Sequence, residues 1–422
     1  MTQLALFGGP RSIDREFPRY NPIGREEMAA AQRVLQSGVL SKFLGAWDAD
    51  FYGGPEVQGF EREWERAFRT KHAVTVNSAT SGLIAALGAV GVEPGDEVIV
   101  SPWTMSASAT AILVWNAIPV FADIQSDTFN LDPIAVEKAI TPRTRAIMAV
   151  DIFGQAADLD ALMAIARRHG LAVIEDCAQA PGALHGARYT GTVADIGVYS
   201  LNYHKHIHTG EGGVCVTDDA RLAERMQLIR NHAESVVGDK GVTEIDNMIG
   251  FNFRMTEIEA AIGREQLKKL PALVASRQAL AARLSQGLAG LKGLQTPVVR
   301  SGNTHAYYVY PMTVDAAATG VGRDRLIEAL AAEGLAVGGG YVNLHLLPMY
   351  QRRIAYGKGG YPWKGGPYRG AVDYSKGICP VAESLHQSRL MHIGMCQFDY
   401  RGEDMELLAA AFRKVWASLD AL

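Results

Sequence analysis

The chain has 422 residues, 48% hydrophobic and 20% charged, and its 41 basic against 45 acidic side chains leave a net charge of −4. That length exceeds one compact core and suits two domains, while the near-balanced charge gives no reason to expect a nucleic-acid or anionic-membrane partner. No apolar span reaches 18 residues, no signal-peptide core opens the chain, and four cysteines without a C-x-x-C pair fit neither a disulfide framework nor a zinc knuckle, so a cytoplasmic protein is expected.

Taken in order, residues 24–37 carry apolar positions near a 3.6-residue period and read as a helix that Gly38 ends. A loop rich in glycine and aromatics follows (G-A-W-D-A-D-F-Y-G-G-P), then a second amphipathic helix from near Val57. His72 to Asn77 reads as a short buried strand, and Ser78-Ala79-Thr80-Ser81-Gly82 opens a small-residue helix through Ala89. Strands at 97–100, 119–121, 146–150 and 171–175 then alternate with helices at 106–115, 134–139 and 159–169. Val214 to Thr217 continues the strands, and 220–231 reads as helix. Strands without polar alternation, separated by helices, predict a mostly parallel central sheet covered on both faces.

Past residue 255 a long helix at 257–284, with Pro271 near its middle, carries the chain into a smaller α/β lobe. That lobe reads as a strand at 306–314, a helix at 323–333, an irregular stretch at 338–370 and a closing helix at 403–419. The fold class expected is therefore α/β, with a large domain over 1–262 and a small C-terminal α/β domain over 263–422.

Ligands of open parallel sheets sit beyond the carboxyl ends of the strands, where loops meet helix N-termini. Ser78-Ala79-Thr80 stands at one such end and suits a phosphate, or is a plain helix cap. Trp103 follows another strand and serves either the core or a planar heteroaromatic ring. Asp176 ends the most hydrophobic strand, where a carboxylate needs a partner: a cap, a metal or a protonated ring nitrogen. No cluster at ligand spacing accompanies it, which argues against metal. Cys177 points the other way if the strand continues, and Gln179 adds a neutral donor in the same loop. Ser200 offers a second hydroxyl. Lys205, between His204 and His206 and just before T-G-E-G-G, serves as a surface charge, a phosphate ligand or a Schiff-base amine. Together these are the parts of a pyridoxal phosphate site: phosphate donors, an aromatic plate, a carboxylate for the ring nitrogen and a lysine for the aldehyde.

The order S-A-T-S-G-L, P-W-T, E-D-C-A-Q-A, S-x-x-x-x-K with T-G-E-G-G, and G-F-N-F-R-M-T-E resembles the DegT/StrS-type aminotransferases, over roughly residues 24–350 and with an echo in P-V-A-E at 380–383. The resemblance implies a fold type I pyridoxal phosphate enzyme that aminates a keto-sugar, mostly nucleotide-linked, or a keto-cyclitol, with glutamate or glutamine as donor. It implies Lys205 as the cofactor lysine, Asp176 as the pyridinium partner, Gln179 at the ring hydroxyl and Trp103 stacked on the ring. Ala79 and Thr80 would bind phosphate through backbone N–H groups, with Ser200 adding its hydroxyl. Asn252 would reach the phosphate of the neighbouring subunit, which implies a homodimer with shared sites; read locally, it is a turn cap. His345 resembles a position near the substrate mouth, or is a structural histidine. The sequence departs from the family at Ala79, where glycine is usual, at the long 45–55 loop, which reads as part of the substrate entrance, and over 351–402. Two other readings stand beside transamination. One is a pyridoxamine-dependent dehydratase centred on His206, and the other a non-catalytic regulatory protein on the same fold.

Overall fold

The computed structural model describes residues 3–422. Helices α1 (Arg25–Ser37) and α2 (Pro55–Phe68) precede strand β1 (His72–Val76) and helix α3 (Ala79–Ala89). There follow β2 (Glu97–Val100), α4 (Ala107–Val114), β3 (Ile118–Phe121), α5 (Pro133–Ala139), β4 (Thr144–Val150), α6 (Leu159–His169) and β5 (Ala172–Asp176). A small hairpin, β6 (Leu184–His185) with β7 (Arg188–Tyr189), leads to β8 (Ile196–Ser200), β9 (Gly213–Thr217), α7 (Ala220–Arg230) and α8 (Ala233–Lys240).

Seven of these strands form one sheet in the order β1-β9-β8-β5-β4-β2-β3. Only β9 runs antiparallel to its neighbours. The carboxyl ends of β1, β2, β4, β5 and β8 therefore share one edge of the sheet, and β9 starts there. The mostly parallel sheet expected from the apolar, non-alternating strands is present. β8, with glycine and tyrosine inside it, is a strand the periodicity did not single out.

Helix α3 sets the site. Its residues from Ser81 to Ala89 are all buried, so it packs as a core helix on the sheet rather than as a surface one. The close approach depends on Gly82: a Cβ there would fall 2.8 Å from Val198 Cγ1 and 2.9 Å from Cys215 Sγ, on the two strands beneath.

The long helix α9 (Glu257–Leu288) continues through the exposed Pro271 and ends four residues beyond the predicted Leu284. It begins with a capping box in which Thr256 Oγ1 accepts from the Glu259 N–H and Glu259 Oε2 accepts from the Thr256 N–H at 2.8 Å, a cap worth about 1 kcal/mol. Its first half packs with Trp64 and Tyr199 under the large sheet, and its second half joins a separate apolar cluster. That cluster includes Met312, Leu326, Ile393 and Phe412, together with Leu4 and Ile13 from the start of the chain. Its sheet is antiparallel: β10 (Leu294–Gln295), β11 (Val309–Val314) and the unforeseen β12 (Leu390–Gly394). Helices α10 (Ala316–Thr319), α11 (Arg323–Ala332) and α14 (Gly402–Trp416) also belong to this part of the chain, the last two packing against each other, and α12 (Pro348–Arg352) and α13 (Pro380–Ser384) lie between α11 and β12. Residues 344–385 fold back on the large sheet. Tyr350 packs edge-on to Phe121 at 5.1 Å, and the Tyr374 hydroxyl donates to the Pro119 carbonyl at 2.7 Å. They thus cover β3, the outer strand that would otherwise offer an open edge.

Candidate active site

The shared strand edge holds a cavity of about 180 Å³ lined by residues from five segments. Ala79 and Thr80 come from the start of α3, Asp176 from the last position of β5 and Gln179 from just beyond it, Ser200 from the end of β8, and Lys205 from the β8–β9 loop. Six of the nine residues singled out in the sequence therefore meet in one place.

The first turn of α3 presents N–H groups that no helical carbonyl can accept. Ser78 caps one of them, accepting from the Ser81 N–H at 3.1 Å, which leaves those of Ala79 and Thr80 for a ligand. Gly213 holds this turn against the sheet. A Cβ at 213 would sit 2.8 Å from the Ala79 nitrogen and 2.8 Å from the Ser78 carbonyl carbon.

Asp176 is 5% exposed. Its Oδ2 accepts from the Ser108 hydroxyl at 2.8 Å and its Oδ1 from the Ala178 N–H at 3.1 Å. Burial raises the carboxyl above its ordinary range, opposed by these two donors and the Lys205 charge. The strand alternation sends Glu175 and Cys177 to the opposite face, where they cluster with Asp151, all three buried. Burial raises both carboxyls above their ordinary range, and the neighbouring Glu175 charge raises Asp151 further.

Lys205 is 8% exposed, and its Nζ lies 4.4 Å from the centre of the Tyr308 ring. Its loop is fixed by three backbone bonds, Lys205 N–H to Asn202 (2.9 Å), Leu201 N–H to Gly212 (2.9 Å) and Thr209 N–H to Leu201 (3.0 Å). The Tyr20 hydroxyl ties the loop to the N-terminal segment by donating to the His206 carbonyl at 2.6 Å. Burial pushes the Lys205 ammonium down to about 8, with Asp176 pulling it back. Near neutral pH such an amine is far more often free than an exposed one.

Gln179 is committed at both ends: Oε1 accepts from the Phe153 N–H at 2.8 Å and Nε2 donates to the Tyr341 hydroxyl at 2.9 Å.

Three expected residues lie elsewhere. Trp103 does not line the cavity; it is fully buried, donates its indole N–H to the Tyr341 carbonyl and packs edge-on against Phe153 at 5.8 Å. The core reading of that tryptophan is the one its surroundings match. His345 is also fully buried and away from the cavity, with Nε2 3.0 Å from Glu383 Oε1. A ring enclosed in that way cannot stand at a substrate mouth. Asn252 is exposed outside the cavity, its Oδ1 accepting from Arg254 Nε at 2.8 Å. Residues 45–54 do not line the cavity either; Trp47 instead packs under the Lys240 ammonium at 4.5 Å.

His206, the centre of the dehydratase reading, is fully buried with Nε2 2.9 Å from the Ala306 carbonyl, and it does not face the cavity. The residue that sequence reasoning missed is Ser108, which holds Asp176 from α4. Its only signal was a serine two residues into a helix after an active-edge strand.

The geometry agrees with what the chain is similar to. It is 35% identical over 428 residues to an L-glutamine:2-deoxy-scyllo-inosose aminotransferase of Streptoalloteichus tenebrarius, covering 98% of this chain and 97% of that one. It is 38% identical over 333 residues to a dTDP-3-amino-3,4,6-trideoxy-alpha-D-glucose transaminase of Streptomyces venezuelae, covering 78% and 82%. Its fold superposes on the crystal structure of an aminotransferase from Psychrobacter cryohalolentis with a TM-score of 0.81 at 28% identity, over 96% of this chain and all of that one. Residues 23–364 match the sequence profile of the DegT/DnrJ/EryC1/StrS aminotransferases, and the protein belongs to that family.

Proposed function

We propose that the protein is a pyridoxal phosphate-dependent aminotransferase that moves the amino group of L-glutamine onto the ketone of a cyclitol. The observation that carries this reading is the pairing of a buried lysine amine with a buried carboxylate in one cavity beside unused helix N–H groups. The donor set fits the cofactor. Asp176 is held by two neutral donors and, among the described residues, has no cationic side chain bonded to it, so a ring N–H would supply its missing counter-charge. The N–H groups of Ala79 and Thr80 with the Ser200 hydroxyl would hold the phosphate.

When bound, the cofactor supplies an electron sink for the bond broken at the donor's Cα. The chain's own residues do the rest. The Lys205 amine, which burial brings down to about 8, would hold the cofactor's aldehyde and, when free, would serve as the base that takes the donor's Cα proton and as the acid that gives a proton to the acceptor carbon. Asp176 keeps the ring nitrogen protonated, and Ser108 keeps Asp176 in place.

The cyclitol is favoured because similarity to the inosose enzyme extends through the C-terminal stretch beyond residue 364, whereas that to the dTDP-sugar enzyme covers less of the chain. The second reading, a nucleotide-linked keto-sugar as acceptor, is favoured by the slightly higher identity to the dTDP-sugar enzyme. Parallel assays of L-glutamine with 2-deoxy-scyllo-inosose, scyllo-inosose and dTDP-linked keto-sugars test the choice: turnover with a dTDP-sugar alone contradicts the cyclitol. We also propose that the protein is a homodimer in which the exposed Asn252 reaches the neighbouring subunit's phosphate site. Sedimentation showing a monomer in the active enzyme contradicts it.

A further inference from the structure

Among the described residues the Lys205 amine has no hydrogen-bonded partner; what its Nζ meets is the face of the Tyr308 ring, 4.4 Å from the centroid. Tyr308 stands just before β11, and its backbone is held on two sides. Its N–H donates to the carbonyl of Phe153, beyond β4, at 2.9 Å, and its carbonyl accepts from the N–H of Met395, the residue after β12, at 3.2 Å. The phenol makes no hydrogen bond among the described residues, so what this side chain offers the amine is its ring. The groups around the amine leave that ring as its steadiest partner. Asp176, from β5, attracts it through space, but a carboxylate that holds a ring N–H no longer balances a second cation. Cys396, beyond β12, is raised by burial and is a neutral thiol near neutral pH. His204 and His206, on the lysine's own loop, are both lowered, chiefly by burial, and stand as neutral rings 6.1 and 6.4 Å from that of Tyr308. Glu211, which lines the same cavity, is exposed and accepts from Asn202 Nδ2 at 2.8 Å.

A cation over an aromatic face is attracted by the quadrupole of the ring, more strongly as it loses its water, and Lys205 is 8% exposed. We infer that Tyr308 is a positioning residue for the reaction: its ring face holds the Lys205 amine whenever that amine is free of the cofactor, and stabilises the ammonium formed when it takes the donor's Cα proton. The inference rests on the aminotransferase reading above. In this step the proton moves from Cα to the Lys205 nitrogen and the electron pair of the broken C–H bond passes to the electron sink, while Tyr308 neither gains nor loses a proton.

The test varies the charge of the ring face at nearly constant shape. Tyr308→Phe is compared with a series carrying singly and multiply fluorinated phenylalanines at position 308, because fluorine drains the ring face while the bulk of the side chain is kept. In full-length, cofactor-free protein, limiting acetic anhydride labels Lys205 as a function of pH, and peptide mapping reads the midpoint at which the amine becomes reactive. Wild type and Tyr308→Phe are expected to agree within about 0.3 pH units, near the folded value of about 8. The most fluorinated ring should lower that midpoint by about 0.5–1.5 units, with the intermediate rings falling between. A midpoint indifferent to fluorination, or one that moves as far in Tyr308→Phe, overturns the ring contact. Loaded protein is then mixed with L-glutamine deuterated at Cα, so that proton transfer limits, and the absorbance of the lysine-bound cofactor is followed. Its rate of loss should stay within about twofold in Tyr308→Phe and fall about 2- to 6-fold along the series, in step with the midpoint. A rate that ignores the midpoint overturns the role in the reaction. If wild type does not discharge the absorbance at all, the aminotransferase reading with this donor fails and the reaction role with it, while the labelling result decides the ring contact separately.

Discussion

Removing the Ser108 hydroxyl is the most informative small change near the site. The hydroxyl donates to Asp176 Oδ2 at 2.8 Å with both groups buried, and Asp176 keeps one other intrachain donor, the Ala178 N–H at 3.1 Å. A hydrogen bond to a charged group contributes about 1.5–3 kcal/mol net. Because one donor survives, the lower half of that range applies, and at 1.4 kcal/mol per tenfold Ser108→Ala should weaken cofactor binding roughly 10- to 40-fold. The same loss lets burial raise the Asp176 carboxyl further, so the ring nitrogen is less well held protonated and the first half-reaction slows by a similar factor. Absorbance titration of cofactor-free protein reads the first effect and stopped-flow discharge by L-glutamine the second. Ser106→Ala, on the same helix with no side-chain cap bond, is the control. Cofactor affinity and half-reaction rate both within twofold of wild type would refute the role given to Ser108, and with it the account of how Asp176 is held.

Three further outcomes follow from the packing and charge of the site. Gly213→Ala puts a Cβ against the Ser78–Ala79 turn; it should cost about 1–3 kcal/mol and loosen the phosphate, read as a lower Tm together with a weaker cofactor Kd. In the cofactor-free protein Lys205 has a folded value of about 8 against 10.5 unfolded, so the native state binds fewer protons between those values and its stability gains as pH rises from 8 to 10.5. Lys205→Met should therefore stabilise cofactor-free protein at pH 7 by roughly 1–3 kcal/mol, with the advantage shrinking towards pH 10.5; denaturant melts at both pH values decide it. His345→Ala breaks a buried contact with Glu383 and should lower stability by about 2–4 kcal/mol while leaving the acceptor KM unchanged, and an altered acceptor KM would return His345 to the substrate mouth.

The parts of the site that sequence revealed are those dictated by local position. Ala79, Thr80, Asp176 and Ser200 stand at strand ends, and a run of buried strands fixes which edge those ends share. Lys205 precedes a glycine-dense turn that closes on itself through nearby backbone bonds. Trp103 and His345 stand at similar local positions, but their places are decided by residues more than two hundred positions and some forty positions away, the Tyr341 carbonyl and Glu383. No period or spacing carries that information. β8 and β12 were missed because Gly197 and His392 interrupt their apolar runs, and what makes them strands is pairing with β5 and β11. The stretch 338–370 reads as irregular because part of its order comes from single aromatic contacts such as that of Tyr350 with Phe121 of β3 rather than from a repeating face.

The claim on which everything else rests is that the Lys205 amine holds the cofactor. Borohydride reduction of the loaded protein followed by peptide mapping tests it directly. The account predicts a single pyridoxyl-modified peptide carrying the mark on Lys205; a mark on any other lysine, or none after loading with pyridoxal phosphate, would contradict it.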